Sequence, residues 1–294
     1  MTNTHNKTSN KHIASGHRIG IVGGGQLAKM TAQPAMELGC EIVILERTEN
    51  TPASCLAADI LYGDWDDPAN LLNLADKVDV VSLENEFVDA NSLKAIEQAG
   101  HQLYPSSTTI GLVQDKLIQK QALSDAGIAV TPFAAVNSQE EIIQRANRLG
   151  WPLVLKTRRN GYDGKGNATL NSAADIGDAW TKLDGNNREL YVEGFCNFAG
   201  ELAVMVTRGS NGEMVNYPVV ESVQKDHICH IVRAPARIGD ELADTAIELA
   251  RKAVTTIDGV GTIGVEMFLT KENQIIHNEM APRVHNSGHY TIEA

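Results

Sequence analysis

Residues 278–289 of this chain read Asn-Glu-Met-Ala-Pro-Arg-Val-His-Asn-Ser-Gly-His. Glu279 ends an apolar run that begins at Ile275, and Glu266 interrupts the apolar run before it. A charge within such a run is costly unless it is paired or bound to a metal. Residues 271–273 predict a hairpin that brings both carboxylates to one face, where they would hold Mg²⁺ beside substrate phosphates. Two separate surface salt bridges are the alternative interpretation.

The segments that precede this hairpin have the patterns of strands. Apolar or alternating runs predict strands at 153–156, 167–170, 190–193, 201–208 and 214–223, followed by one long helix at 240–257. This run of strands with few helices favours antiparallel pairing. We therefore expect the second half of the chain to be an α+β unit with antiparallel sheets.

The first half of the chain alternates strands with helices. An apolar strand at 19–22 is followed by a glycine turn and a helix at 26–38, and further strands are predicted at 41–45 and 78–83. This βαβ pattern is typical of a small, doubly wound, Rossmann-like parallel sheet.

The glycine turn resembles a dinucleotide-binding sequence. Residues 23–28 fit the GxGxxA fingerprint, and Glu46 ends the second strand where a ribose-binding acid would stand. The glycines only let a helix N-terminus approach an anion, so any phosphate-bearing ligand satisfies them.

Composition limits the compartment and the partners. The formal net charge of −12 disfavours duplex nucleic acid or an anionic membrane as the main partner. The four cysteines form no CxxC pair, and no apolar segment is long enough to span a membrane. We expect a cytoplasmic protein that acts on small molecules, with residues 1–16 as a flexible leader and domains at 17–113 and 114–294.

A basic, glycine-rich segment follows the strand at 153–156. Lys156 ends this strand, and residues 161–166 read Gly-Tyr-Asp-Gly-Lys-Gly. The glycine spacing differs from a Walker A loop, but a mobile loop after a fixed lysine can fold backbone N–H groups over a polyphosphate. An ordinary hairpin with glycine at its bends is the alternative.

A further group of polar residues follows the strand at 190–193. Residues 191–195 read Tyr-Val-Glu-Gly-Phe, and Glu201 lies on the next predicted strand. Glu193 and its neighbours offer groups for an adenine edge and ribose hydroxyls. Each glutamate taken singly is more often an exposed strand residue.

Together these motifs resemble the ATP-grasp superfamily. Within it, Gly-Tyr-Asp-Gly-Lys-Gly and Ala-Pro-Arg-Val-His-Asn-Ser-Gly-His, behind Gly-Gly-Gly-Gln-Leu, are similar to the N5-carboxyaminoimidazole ribonucleotide synthase family. The resemblance implies a pre-ATP-grasp parallel sheet, a two-lobed ATP-grasp domain with antiparallel sheets, and a homodimer. It also implies an ATP-dependent ligase of purine (IMP) biosynthesis that carboxylates 5-aminoimidazole ribonucleotide with bicarbonate through carboxyphosphate.

The resemblance also implies roles for individual residues. ATP phosphates or adenine would be contacted by Lys116 and Lys156, under a lid of Gly161, Tyr162, Asp163, Gly164, Lys165, Gly166 and Asn167. The adenine would be lined by Glu193, Gly194, Phe195 and Cys196, and the ribose would be held by Glu201. Gln224 would contact ATP at the position of a family histidine. Mg²⁺, or Mn²⁺ in its place, would be held by Glu266 and Glu279 with Asn278 beside them. Bicarbonate and carboxyphosphate would be surrounded by Arg283, His285 and Asn286, with Tyr162, Asp163 and Lys165 on the substrate side.

The chain departs from the family pattern at three places. Asn160 stands where the family often has glycine, and Gln224 where it usually has histidine. Family members also continue past the last motif into a small C-terminal domain that binds the ribonucleotide phosphate. From its absence here we expect low stability and weak turnover, with ATP binding retained.

Three other functions fit part of the pattern. A formate-dependent glycinamide ribonucleotide transformylase would share the Mg²⁺ carboxylates, and a non-catalytic nucleotide-binding module would fit the missing C-terminal domain. An NAD-dependent dehydrogenase would use the turn at 23–28 but would leave residues 156–289 without a role.

Overall fold

The computed structural model describes residues 16–161, 166–225 and 228–292. The described chain forms two compact units. One comprises residues 16–84 and 95–103, and the other comprises residues 85–94 and 104–292. Among the helices of the described residues, none combines the length and the apolar character that a membrane crossing requires.

The first unit is built around a five-stranded sheet with the order β3-β2-β1-β4-β5. Its strands are β1 (Arg18–Val22), β2 (Glu41–Glu46), β3 (Asp59–Tyr62), β4 (Val80–Leu83) and β5 (Leu103–Tyr104). Its helices are α1 (Gln26–Glu37), α2 (Pro68–Ala75) and α3 (Ala90–Gln98), the last of which runs on from the second unit. The β1–β2, β1–β4 and β2–β3 pairs are parallel. This confirms the predicted Rossmann-like sheet.

The second unit starts with helices and a four-stranded sheet of order β6-β9-β7-β8. Its strands are β6 (Phe133–Val136), β7 (Leu153–Thr157), β8 (Asn167–Leu170) and β9 (Leu190–Gly194), all paired antiparallel. The helices are α4 (Ser107–Gln114), α5 (Lys116–Asp125), α6 (Gln139–Leu149) and α7 (Ile176–Lys182). Ser138 caps α6 by accepting a hydrogen bond from the Glu141 amide, as its Ser-x-x-Glu sequence predicts.

A second antiparallel sheet completes this unit. It contains β10 (Phe198–Arg208), β11 (Met214–Asn216), β12 (Val220–Lys225), β13 (Ile228–Arg233), β14 (Gly261–Thr270) and β15 (Ile275–Ala281), and α8 (Asp240–Thr256) lies between β13 and β14 in sequence. The prediction of one strand at 214–223 is wrong. Pro218 has no N–H for a ladder hydrogen bond, so the segment divides into β11 and β12. The predicted fold class, a parallel sheet followed by antiparallel sheets, is confirmed.

Alternation along the strands separates the core from the side chains available to a ligand. Leu202, Val204 and Val206 on β10 are buried in a core that includes Ala250 and Val254 of α8. Because side chains alternate along a strand, Glu201 and Ala203 project from the opposite face of the sheet. In the other sheet, Leu190 and Val192 of β9 join a core with α6 and α7, and Tyr191 and Glu193 project from its other face.

Candidate functional site

The two acids of the final hairpin face each other across β14 and β15. Glu266 is the register partner of Glu279, while Met267 pairs with His277, so Asn278 is the extra residue of a β-bulge. A bulge changes the phase of the strand. Asn278 and Glu279 therefore both line one cavity, although a regular strand would send them to opposite faces.

The two opposed acids differ in their electrostatics. Burial, with help from Glu279 and Glu201, raises the pKa of Glu266 to about 8. Burial would also raise the pKa of Glu279, but the charge and hydrogen bond of Lys116 lower it. Lys116 Nζ lies 2.6 Å from Glu279 Oε1. One carboxylate thus has a lysine as its partner, and the other holds its proton near neutral pH.

The cavity beside this pair has a volume of about 550 Å³, within the range typical of small-molecule sites. It brings together many of the residues singled out in the sequence: Gly161, Asn167, Glu201, Gln224, Glu266, Asn278, Glu279, Arg283, His285 and Asn286. The other predicted residues that the structure describes do not line it: Lys116, Lys156, Gly166, Glu193, Gly194, Phe195 and Cys196. Tyr162, Asp163, Gly164 and Lys165 lie outside the described residues.

Arg283 and His285 stand at one end of the cavity. The Arg283 guanidinium donates two hydrogen bonds to Glu86, with Nε–Oε2 at 2.6 Å and Nη2–Oε1 at 3.2 Å. His285 Nδ1 accepts a hydrogen bond from the Ser287 amide at 3.3 Å, and Nε2 lies 3.8 Å from Glu266 Oε1. Burial, with the charge of Arg283, lowers the pKa of His285 to about 4. The neutral ring therefore carries its proton on Nε2, towards Glu266.

A glycine allows His285 to approach the sheet this closely. A Cβ on Gly264 would lie 2.7 Å from the Cβ of His285. A side chain at this position of β14 would therefore require His285 or the backbone of β14 to shift.

Lys156 and Glu193 belong to a buried cluster next to the other sheet. Lys156 Nζ lies 3.2 Å from Glu193 Oε2, and Lys120 Nζ lies 3.1 Å from Glu193 Oε1. Tyr191 and Thr131 also donate hydrogen bonds to this carboxylate. Burial would raise the pKa of Glu193, but Lys156 and Lys120 lower it to about 2. Glu193 is therefore a buried, ionised residue, not an exposed strand residue.

The start of the glycine loop is tied to the helix that carries Lys116. Asp115 caps α5 by accepting from the Leu117 and Ile118 amides, and it also accepts from the Arg158 guanidinium. The Lys116 amide donates to the Arg158 carbonyl at 2.8 Å. The loop entrance and Lys116 are thus held in one arrangement.

Two of the departures from the family pattern have a place in the structure. Asn160 has a φ of 56°, a left-handed conformation that glycine adopts freely and asparagine tolerates. Gln224 lines the cavity from β12 and donates to Ser222 Oγ at 3.2 Å. Phe195, after β9, is exposed.

The glycine turn after β1 holds carboxylates of the chain itself. Glu46 is buried and accepts from the amides of Gly24 and Arg47, at 2.6 and 2.7 Å. Glu84 accepts from the Leu27 amide at the start of α1, and a Cβ on residue 25 would overlap the Glu84 carboxylate. Because these acids take amides that a phosphate would need, the turn does not support the dinucleotide interpretation.

Several residues that matter in this region carry no signal in the sequence. Glu86, Asp115, Lys120 and Thr131 are separated from their partners by tens of residues or belong to no motif, and His277 is an isolated buried histidine. Only the alternation along β9 indicates that Tyr191 and Glu193 share a face.

Two family models match this chain, each over a different part. Residues 121–294 match the model of the ATP-grasp domain, and residues 17–114 match that of the ribonucleotide synthetase preATP-grasp domain. The phosphoribosylaminoimidazole carboxylase of Ogataea methanolica is 41% identical over 280 residues, which are 94% of this chain and 51% of that protein. The chain thus spans about half the length of this curated relative.

A shorter curated relative and a solved structure are also similar to this chain. The N5-carboxyaminoimidazole ribonucleotide synthase of Staphylococcus aureus (strain COL) is 37% identical, over 95% of this chain and 73% of that protein. The crystal structure of the Aspergillus clavatus N5-carboxyaminoimidazole synthase, in complex with ADP and 5-aminoimidazole ribonucleotide, has a TM-score of 0.87 at 38% identity. The alignment covers 94% of this chain and 72% of that one. The chain belongs to the ATP-grasp superfamily and, within it, to the family of N5-carboxyaminoimidazole ribonucleotide synthases.

Proposed function

We propose that this chain is an ATP-grasp ligase that carboxylates 5-aminoimidazole ribonucleotide in purine biosynthesis. Bicarbonate attacks the γ-phosphorus of ATP to give carboxyphosphate and ADP. The substrate amine then takes the carboxyl group and phosphate leaves, which yields N5-carboxyaminoimidazole ribonucleotide. The observation that carries the proposal is the opposed pair Glu266 and Glu279 in one cavity with Arg283 and His285.

The same proposal includes a Mg²⁺ ion at the carboxylate pair. Glu266 and Glu279 are opposed hard oxygen donors, and the raised pKa of Glu266 indicates a carboxylate that lacks a cation partner. The described residues contain no group of three or more His, Cys, Asp or Glu side chains able to hold a metal. Mg²⁺ is usually held by one or two carboxylates with water and substrate phosphates, so this pair of carboxylates would suffice. The bound ion would neutralise charge on the phosphates.

The residues of the chain would bind and orient ATP. Lys116 and Lys156 would supply cations for the phosphates. The lid that the resemblance implies at 161–167 would cover them, and residues 162–165 of it lie outside the described residues. Glu201 on β10 lines the cavity as a partner for ribose hydroxyls. Residues 193–196 would line the adenine, and Gln224 would offer its amide to the nucleotide.

The other end of the cavity would bind bicarbonate. Arg283 is a planar cation suited to a carboxylate-shaped anion, and His285 offers a neutral N–H donor at Nε2. Asn286 lines the same end. Fixed donors at this position stabilise negative charge on the transferring groups. Arg283 now pairs with Glu86, so binding of the anion would compete with that pair.

The test is release of ADP by the purified chain with each substrate omitted in turn. We expect release to require bicarbonate and to rise with 5-aminoimidazole ribonucleotide. Replacing bicarbonate by formate separates this reaction from the glycinamide ribonucleotide transformylase alternative. ADP release that requires formate, or release that ignores both anions, would refute the proposal, and ATP binding without turnover would favour the non-catalytic module.

A matched pair of variants links the activity to the carboxylate pair. Glu266→Gln should lower ADP release by about 100-fold, since it removes a metal ligand and a stabilised charge. Glu221→Gln changes an acid that lines the same cavity but pairs with Arg233, at 3.0 Å. It should change the rate by less than about threefold. Equal effects of the two substitutions would contradict the assigned role of Glu266.

The proposal extends to the assembly and compartment that the family implies. We propose a cytoplasmic homodimer with domains at 17–113 and 114–294, a division by family pattern that differs from the compact units, which group residues 85–94 and 104–113 with the second part of the chain. Sedimentation equilibrium of the purified chain tests the dimer. A mass near that of two chains would support it, and a mass near that of one chain would contradict it.

A further inference from the structure

Two lysines bind one buried carboxylate in the cluster around Glu193. Lys120 Nζ and the Tyr191 hydroxyl contact Oε1, at 3.1 and 2.7 Å. Lys156 Nζ and the Thr131 hydroxyl contact Oε2, at 3.2 and 3.0 Å. Lys120 also donates to the Thr131 hydroxyl at 2.9 Å. Each carboxylate oxygen therefore has one ammonium and one hydroxyl donor.

The charges of this cluster do not balance. The two lysines against one glutamate leave one positive charge in excess, and burial makes such an excess costly. Burial lowers the pKa of Lys120, and Glu193 only partly opposes this effect. A structure that needed only to neutralise Glu193 would need one lysine.

The two lysines differ in their access to solvent. The Lys120 side chain is 4% exposed, whereas the Lys156 side chain is 19% exposed. Lys156 is the second-last residue of β7, before the glycine loop, and Lys120 lies within α5. Lys156 is the lysine that can leave the carboxylate, and Lys120 has to stay.

We infer that Lys120 is a positioning residue that keeps Glu193 paired when Lys156 moves to the phosphates of ATP. The inference rests on the proposed function, because it assumes that Lys156 binds ATP. After Lys156 leaves, Glu193 retains Lys120, Tyr191 and Thr131, and the cluster is neutral. The positive charge that was in excess, that of Lys156, then pairs with the ATP phosphates.

Without Lys120, Glu193 would have Lys156 as its only cation. Moving Lys156 to ATP would then leave a buried carboxylate without a counter-ion, which is strongly unfavourable. Lys156 would stay on Glu193, and ATP would bind more weakly. Removing the charge of Glu193 should release Lys156 again.

The test is a double-mutant cycle on ATP affinity, measured by calorimetry on the purified chain with Mg²⁺. Lys120→Met should weaken ATP binding about tenfold, within the coupling energies seen for residues of one network. In the Glu193→Gln background, the same substitution should change the affinity by less than about twofold. Adenosine, which has no phosphates, should bind the wild type and K120M alike. Lys94→Met, an exposed lysine bonded to Asn91, is the matched control.

The outcomes separate this inference from the proposed function. A wild-type chain that binds no ATP would overturn both. A wild-type chain that binds ATP, with K120M binding it equally well, would overturn the role of Lys120 alone. So would a tenfold loss that persists in the E193Q background, or an equal loss for adenosine, because either result indicates a direct contact or a damaged fold. Circular dichroism of each variant identifies a damaged fold independently.

Discussion

His277 is a buried polar side chain whose replacement should stabilise the protein. It is 1% exposed, and neither ring nitrogen has a hydrogen-bond partner among the described residues. Its backbone amide donates to the Ala129 carbonyl at 2.8 Å, and Met267 is its register partner on β14. The fold uses the backbone of this residue and leaves the imidazole unpaired, so His277→Ile keeps the ladder and removes the unsatisfied groups.

The expected gain follows from the cost of a buried polar group without a partner. Such a group costs about 1–3 kcal/mol, whereas an apolar side chain of similar size contributes favourable burial. Isoleucine is slightly larger than histidine, so some of the gain is offset by tighter packing. We expect the H277I variant to be more stable than the wild type by about 1–2 kcal/mol at pH 7.

The pH dependence gives a second, independent signature. Burial, with the charge of Lys120, lowers the pKa of His277 to about 3 from its usual value of 6.5. Below pH 6.5 the unfolded chain therefore binds a proton at this histidine that the folded chain does not bind. Because of this difference, the free energy of unfolding is highest above pH 6.5 and falls as the pH drops towards 3. Each pKa unit corresponds to about 1.36 kcal/mol, so the 1.5 units from pH 6.5 to pH 5 correspond to about 2 kcal/mol.

The assay is urea unfolding of the wild type and the variants at pH 7 and pH 5. H277I should gain stability at both values, and its advantage should grow by about 2 kcal/mol at pH 5. His277→Gln is the control, since it removes the titration but keeps a buried polar group. The stability of H277Q should depend less on pH than that of the wild type, but H277Q should not be more stable than the wild type at pH 7. An H277I variant that is no more stable than the wild type, or that loses as much stability at pH 5, would show that the buried imidazole does not destabilise the fold.

Two further substitutions test how the site is held. Gly264→Ala should lower ADP release about tenfold or more, because its Cβ would displace His285. Gly177→Ala, in α7 and outside the cavity, has nothing within 4 Å of the added Cβ and should change the rate far less. Equal rates for the two variants would contradict the close-approach role of the glycine in β14. Asp115→Asn should lower the free energy of unfolding by about 1–3 kcal/mol in urea titrations, since it weakens both the α5 cap and the buried pair with Arg158. A variant as stable as the wild type would show that this carboxylate does not hold the loop.

The sequence predicts the pairing of the two acids well, because the residues that determine it are close together in the chain. Two apolar runs and a three-residue turn specify an antiparallel hairpin, and the structure pairs Glu266 with Glu279. The sequence does not predict the bulge at Asn278. No glycine or proline marks the bulge, and its effect depends on which side of β15 the cavity lies.

The buried lysine could not be predicted, because its environment is formed by distant residues. Lys120 lies in a helix with several polar residues, where a lysine is normally exposed. Its partner, Glu193, lies on a strand 73 positions later in the chain. The pattern of α5 alone does not show that a strand far along the chain supplies a counter-charge for its lysine. The division of the strand at Pro218, by contrast, could be predicted from the sequence, because a proline within a predicted strand argues against a continuous strand.

The acidic composition has a structural explanation that the net charge conceals. Three of the cations that we assign to ATP or bicarbonate are paired with carboxylates in the structure: Lys116 with Glu279, Lys156 with Glu193, and Arg283 with Glu86. Binding of the anions is then an exchange of partners, in which each cation leaves a carboxylate that needs another counter-charge. For Glu279 that charge would be Mg²⁺, and for Glu193 it would be Lys120. An acidic chain can therefore bind a polyanion, because its acids hold the cations in place until the ligand arrives.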